Sequence, residues 1–230
     1  MNIRLLFPCI ISFLFLSCTF EQNTGTVIKS GTIKYIALGD SYTICEGADI
    51  SESWPKLLTQ HLNEKGIHIE LIVNPSVTGY TTQQLIEQEL PLLKKSKVDF
   101  VTLLIGVNDW VIGFDTAMFA QNFTYILNEI EKDISNKEQI LIITIPDFGV
   151  TPTGARYFGG RDISKGIAKF NAIILKEAAK KNLKTVDIFE LSKGMKHDAN
   201  LVAKDGLHPS AKEYALWEKI ILPVAISLLK

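Results

Sequence analysis

A chain of 230 residues, 47% of them hydrophobic, is long enough for one compact domain with a sizeable core plus a short appendage, and short for two full domains. Its formal net charge of -1, with basic residues scattered along the chain, lacks the electrostatic footprint of a nucleic-acid-binding surface, so that class is set aside. The first segment, MNIRLLFPCIISFLFLSC, pairs an early Arg4 with an apolar stretch of about a dozen residues, short of the ~20 that span a bilayer. It reads as an export signal.

The end of that segment, Phe15-Leu16-Ser17-Cys18, resembles the lipobox of bacterial lipoproteins, with Phe15 where an aliphatic residue is usual. The resemblance implies that residues 1–17 leave as a signal peptide and that Cys18 becomes the lipidated first residue of the mature chain. The protein would then be anchored by lipid at a bacterial envelope membrane, facing the periplasm or the outer surface. A plain signal peptide or an uncleaved anchor is the alternative. With Cys9 removed and Cys18 lipidated, only Cys45 remains, so no internal disulfide forms and Cys45 is expected to be a buried thiol. Residues 18–31 have the polar, Gly/Thr/Ser-containing composition of a flexible tether, and the folded domain is predicted over 32–230.

From Thr32 onward, short apolar runs rich in β-branched residues alternate with amphipathic segments. Strands are predicted over Ile33 to Leu38, Ile67 to Val73, Phe100 to Ile105, Ile140 to Ile145 and Thr185 to Ile188. Helices are predicted over Trp54 to Glu64, Thr82 to Lys94, Thr116 to Ile134, Ser164 to Lys181, and from Ser210 to about Leu229 with a kink at Pro223. This alternation predicts an α/β domain of flavodoxin-like type, three layers with a five-stranded parallel sheet between helices.

Ligands of such sheets sit beyond the carboxyl ends of the strands. The residues predicted there are Gly39-Asp40-Ser41, then Asn74 to Gly79, then Gly106-Val107-Asn108-Asp109, and finally Asp205-Gly206-Leu207-His208 before the last helix. That inventory suits acyl transfer by a serine. Ser41 offers a hydroxyl nucleophile, His208 a base, and Asp205, three residues earlier, a carboxylate to fix the imidazole tautomer. Donors for an oxyanion are the backbone N–H of Ser41, the backbone N–H of Gly79, where a missing side chain permits close approach, and the side-chain amide of Asn108.

These four blocks, Gly39-Asp40-Ser41, Gly79, Gly106-Val107-Asn108-Asp109 and Asp205-Gly206-Leu207-His208, in this order, resemble those of the SGNH/GDSL hydrolases. The resemblance runs from about Ile33 to the last helix. It implies a catalytic triad of Ser41, Asp205 and His208 and an oxyanion hole of Ser41, Gly79 and Asn108; no cofactor is expected, and the absence of clustered metal-ligand spacing predicts no metal. It also implies hydrolysis of a small carboxylic ester or acyl group through an acyl-enzyme. Carbohydrate O-deacetylase, lysophospholipase and thioesterase are alternatives within the fold, and a silent glycan- or lipid-binding envelope lipoprotein is the alternative outside catalysis. Two departures stand out. Tyr42 occupies the place of the leucine in the family's name-giving motif, and Cys45 stands where many relatives carry glycine.

Other groups receive plainer expectations. Asp40 and Asp109 are expected to order their turns, and His61, His68 and His197 lack metal-ligand spacing. Trp54 is expected in the core. Trp110 stands open between core and pocket lining. The loop from Pro146 to Asp162 is long and carries four glycines, which predicts a lid or pocket wall, with Arg156 and Arg161 either solvated or facing a negative group. The apolar run from Ile220 to Leu229 is expected to close one face of the sheet.

Overall fold

The computed structural model describes residues 31–157 and 160–230, so the signal segment, Cys18 and nearly all of the tether lie outside the described residues. Five parallel strands form one sheet in the order β2-β1-β3-β4-β5, with β1 over Ile33–Gly39, β2 over Ile69–Val73, β3 over Phe100–Leu104, β4 over Ile140–Ile143 and β5 over Lys184–Val186. The central strands are buried on both faces, which explains their near-continuous apolar sequences. The helices are α1 (Ser41–Ile44), α2 (Trp54–Glu64), α3 (Thr82–Gln84), α4 (Leu90–Ser96), α5 (Val107–Ile112), α6 (Thr116–Asp133), α7 (Gly154–Tyr157), α8 (Ile163–Lys180), α9 (Phe189–Ser192) and α10 (Ala211–Leu229). Of these, α2 packs on α10, while α6 packs on both α4 and α8. Right-handed crossovers from a sheet of this order give these two separate layers and put the switch in chain direction between β1 and β3.

Local chemistry sets the helix starts. Ser53 accepts from the Lys56 amide ahead of α2, Asp115 from Met118 ahead of α6, Asp162 from Lys165 ahead of α8, and Ser210 from Glu213 ahead of α10. Two strands end before their apolar runs do, where side chains take over the backbone bonding. Asn171 pairs with both backbone groups of Ile145, and the Thr144 hydroxyl joins Asp187 and the Ile188 amide, while Asn63 covers both backbone groups of Ile69 at the start of β2. The apolar pattern continues; the ladder does not.

The helix predicted over Thr82 to Lys94 is interrupted. Between α3 and α4 lies a π turn, Leu85–Glu89, closed by the Leu90 amide on the Leu85 carbonyl. Pro91, in the first turn of α4, has no N–H to continue an α ladder. The wider turn before it resolves that conflict. Pro223, by contrast, is carried inside an unbroken α10, which buries Tyr214, Trp217, Ile221 and Ala225. No helix of the described residues is long and apolar enough to cross a membrane.

Candidate active site

The apolar run of β1 stops at Gly39 because the chain must turn in a crowded place. A Cβ at Gly39 would lie 2.2 Å from Thr43 Oγ1 and 2.4 Å from the Leu104 carbonyl. Asp40, fully buried, then caps α1 by accepting from the Tyr42 amide at 3.1 Å, as expected for a turn-ordering carboxylate. Ser41 follows as the first residue of α1, 5% exposed. The turn closes at Cys45, whose φ of +83° is the left-handed conformation that favours glycine and costs another residue about 1 kcal/mol. Its thiol is buried, donates to the Asp49 carbonyl at 3.3 Å, and is pushed by burial up to about 12.

Ahead of α10, the loop Asp205–His208 is built around one carboxylate. Asp205 Oδ2 meets His208 Nδ1 at 2.6 Å, while Oδ1 accepts from the Leu207 and His208 amides at 2.8 and 3.0 Å. Burial by itself would raise the Asp205 carboxyl, but these hydrogen bonds outweigh it and hold Asp205 below the usual carboxylate range. The Asp205 side chain is 41% exposed, so the pair stands at the cleft wall and not in the core. Thr153 braces the loop from outside, its hydroxyl donating to the Asp205 carbonyl at 2.9 Å and its amide to Gly206 at 2.8 Å.

Asn108 lies in the first turn of α5, beyond the carboxyl end of β3. Its side-chain amide donates to the Tyr80 carbonyl at 2.9 Å, which ties it to the loop carrying Gly79. Asp109 strengthens the same tie by accepting from both the amide and the hydroxyl of Thr82. It thus braces the Asn108 turn, as expected. Gly79 itself has φ +88°, and a Cβ there would meet nothing within 4 Å. Glycine is required by the backbone conformation there, not by crowding among the described residues.

Ser41, Asn108, Asp205 and His208 line one cleft of about 310 Å³, walled by Val107, Val111, Phe148 and Leu207. Gly79 is not among the lining residues. The Ser41 hydroxyl makes no hydrogen bond with the described residues and opens onto the cleft. A larger cavity of about 500 Å³ opens behind the Asp205–His208 loop, between Pro152 and His197, and contains none of these groups.

Aromatic rings pack around His208. The Tyr42 ring stands edge-on to His208 at 6.0 Å and to Trp217 at 5.8 Å, and the Trp54 indole donates to the Tyr42 carbonyl at 3.1 Å. Tyr42, read from sequence only as a departure, therefore supports the imidazole. Trp54 is in the core. Trp110 does not line the cleft; it packs edge-on to Phe148 and so close to Gly166 that a Cβ there would lie 1.9 Å from its indole nitrogen. Arg161 covers the Trp110 ring at 4.2 Å and donates to the carbonyls of Trp110 and Val111, serving the end of α5. Phe148 and Thr153 make the 146–162 loop a cleft wall. Neither Thr153 nor the inward aim of Glu89 has a motif in the sequence to announce it.

No group of three metal-ligating side chains occurs among the described residues, and His61 pairs with Glu218 between α2 and α10 at 3.0 Å. Several carboxyls are instead buried with little compensation. Burial pushes Asp40 and Glu89 up to about 8 and Glu213 up to about 7. The folded protein then keeps protons that the unfolded chain has lost, so stability rises as pH falls from 8 toward 5, by up to about 1.4 kcal/mol per pH unit for each group. Asp205 has the opposite sign, but its contribution is lost only below the usual carboxylate range. Urea unfolding is expected to give a stability at about pH 5.5 that exceeds the value at about pH 8.5 by about 2 kcal/mol or more. Equal stability, or the reverse order, would contradict the burial of these acids.

The sequence model of the GDSL-like Lipase/Acylhydrolase family matches residues 37–216. The chain is 29% identical over 116 residues to an arylesterase of Vibrio mimicus, covering 50% of this chain and 58% of that protein. It is also 29% identical over 143 residues to thioesterase 1/protease 1/lysophospholipase L1 of Escherichia coli (strain K12), covering 62% of each. The matched region thus spans less than two thirds of these curated relatives. Among solved structures, the lipase/acylhydrolase from Enterococcus faecalis superposes with a TM-score of 0.70 at 22% identity, over 86% of this chain and 98% of that one, a likeness of fold.

Proposed function

The chain belongs to the GDSL-like lipase/acylhydrolase family, and from that premise we propose that it is a serine esterase acting on a small carboxylic ester or acyl group. Ser41 attacks the acyl carbonyl while His208 Nε2 takes its proton, and Asp205 holds Nδ1 and balances the imidazolium. The oxyanion is received by the amides of Ser41 and Gly79 and by the Asn108 side chain. His208 returns the proton to the leaving alcohol, then activates the water that releases the acid. The observation that carries this reading is the 2.6 Å Asp205–His208 contact on the wall of the same cleft that Ser41 and Asn108 line.

The cleft lies near the lower end of the range for small-molecule pockets, about 300–1,000 Å³, and its apolar wall suits a short acyl group. A broad carboxylesterase is the first reading, with carbohydrate O-deacetylase and lysophospholipase or thioesterase behind it. A fluorophosphonate probe, followed by peptide mapping, is expected to modify Ser41. A p-nitrophenyl ester series is expected to favour acetate over long chains. Folded protein that stays unlabelled and inert on every ester would favour the silent binding lipoprotein, and long-chain preference would favour lipid esters.

The envelope location belongs to the same proposal. A lipid on Cys18 and a tether over 18–31 would hold the domain at a membrane without a spanning helix. Mass spectrometry of the mature N-terminus is expected to find diacylated Cys18; an unmodified residue elsewhere would refute the anchor.

A further inference from the structure

The π turn that ends at Glu89 is the feature that the catalytic scheme does not use, and π turns occur often at functional sites. It delivers a carboxyl group into the sheet. Glu89 is fully buried, and its Oε2 accepts from the Gly39 amide at 3.0 Å, two residues before Ser41. Asp40, also fully buried, spends Oδ1 on the Tyr42 amide. Glu89 Oε1, Asp40 Oδ2 and Thr43 Oγ1 are all buried without a hydrogen-bond partner among the described residues. Two buried carboxyl groups, Glu89 on the Gly39 amide and Asp40 on the Tyr42 amide, thus hold the turn that presents Ser41.

Resting on the reading of Ser41 as nucleophile, we propose that Glu89 is a positioning residue whose buried carboxyl group, accepting from the Gly39 amide, holds the nucleophile turn in its working shape. Rising pH takes a proton from this carboxyl into solvent and disarms the site. The surroundings offer no relief for the resulting charge. Asp40 acts on Glu89 from the end of β1, Asp109 acts on Asp40 from α5, and Asp40, Asp147 and Asp205 all act on Tyr42. No Lys or Arg is among the groups that shift either acid. Burial raises both carboxyls to about 8. A carboxylate at Glu89 would leave a charged oxygen buried and unpaired, repel Asp40, and oppose the negative charge that develops on the substrate.

The test compares wild type with Glu89→Gln and Glu89→Ala across pH, on the best p-nitrophenyl ester, with folding checked by circular dichroism at each pH. The amide of Glu89→Gln keeps an oxygen for the Gly39 amide and does not ionise. Its kcat at pH 7 is expected within about tenfold of wild type, with the alkaline fall in kcat removed or moved up by about one unit or more. Glu89→Ala is expected to lose on the order of 100-fold in kcat through misplacement of the turn. An alkaline limb unchanged in Glu89→Gln, or a wild-type kcat in Glu89→Ala, overturns the proposal. If neither variant folds, wild type alone decides, because a kcat that stays level to about pH 9.5 also overturns it. Fluorophosphonate labelling of wild type separates the two failures: absence of the Ser41 adduct refutes the nucleophile, while a Ser41 adduct with an indifferent Glu89 refutes only the positioning role.

Discussion

Ser41→Ala is expected to lower kcat by about 10,000-fold or more, and His208→Ala by a similar factor, while the double variant loses little beyond either single one. The non-additivity is the informative part. A nucleophile and its base act as one unit, so removal of the hydroxyl leaves the imidazole with no proton to take. Both variants should fold, because the Ser41 hydroxyl has no hydrogen-bond partner among the described residues and His208 is held mainly through its backbone and Asp205. Thermal unfolding of each variant beside wild type checks that condition. Losses that multiply across the double variant would separate the two residues into independent roles and defeat the triad. Residual activity within tenfold of wild type in Ser41→Ala would mean that another group attacks.

Asn108→Ala is expected to cost 100- to 1,000-fold in kcat, or about 3–4 kcal/mol of transition-state stabilisation, with KM changed by less than about threefold. The side-chain amide carries two N–H donors. One is committed to the Tyr80 carbonyl, which fixes the amide plane and leaves the second for the oxyanion of the proposed mechanism. The substitution also frees the Tyr80 carbonyl, so a stability loss of about 1 kcal/mol is expected beside the kinetic one. A variant that loses that stability but keeps kcat within tenfold of wild type would show that Asn108 ties the Gly79 loop and does nothing for the oxyanion.

The five strands and the long helices were legible because parallel strands buried on both faces read as apolar runs, and amphipathic helices open on Ser or Asp caps. The ends were not, and for one recurrent reason. Thr144 and Asn171 replace ladder bonds with side-chain bonds, so apolar sequence continues past the last paired residue. The π turn escaped because a helical pattern drifts only slightly over one added residue, and Pro91 was compatible with either reading. Ser41, Asn108, Asp205 and His208 could be found as a group because each sits where a strand or loop breaks into Gly, Asp or Pro. Trp110 could not be placed from sequence, since packing against Gly166 and under Arg161 joins residues far apart in the chain. Glu89 stands within the predicted helix with no motif to single it out, and its burial at the end of the π turn rests on a bond to Gly39, 50 residues away in the chain.

The sheet order bears on when the proposed active site is assembled. Ser41 follows the first strand, whereas Asp205 and His208 arrive after the last one and just before α10, so the two halves of the chemistry meet only through distant pairings such as the Tyr214 hydroxyl on the Glu46 carbonyl, 168 residues apart. Contacts of that span form late, because the intervening chain must be ordered before they are rewarded. A chain emerging N-terminus first can pair β1 with β2 and β3 while its serine still lacks a base. On the proposed mechanism the hydroxyl therefore stays chemically dormant until the fold is complete, and recovery of hydrolysis on refolding is expected to report closure of the last helix more faithfully than any spectroscopic measure of the sheet.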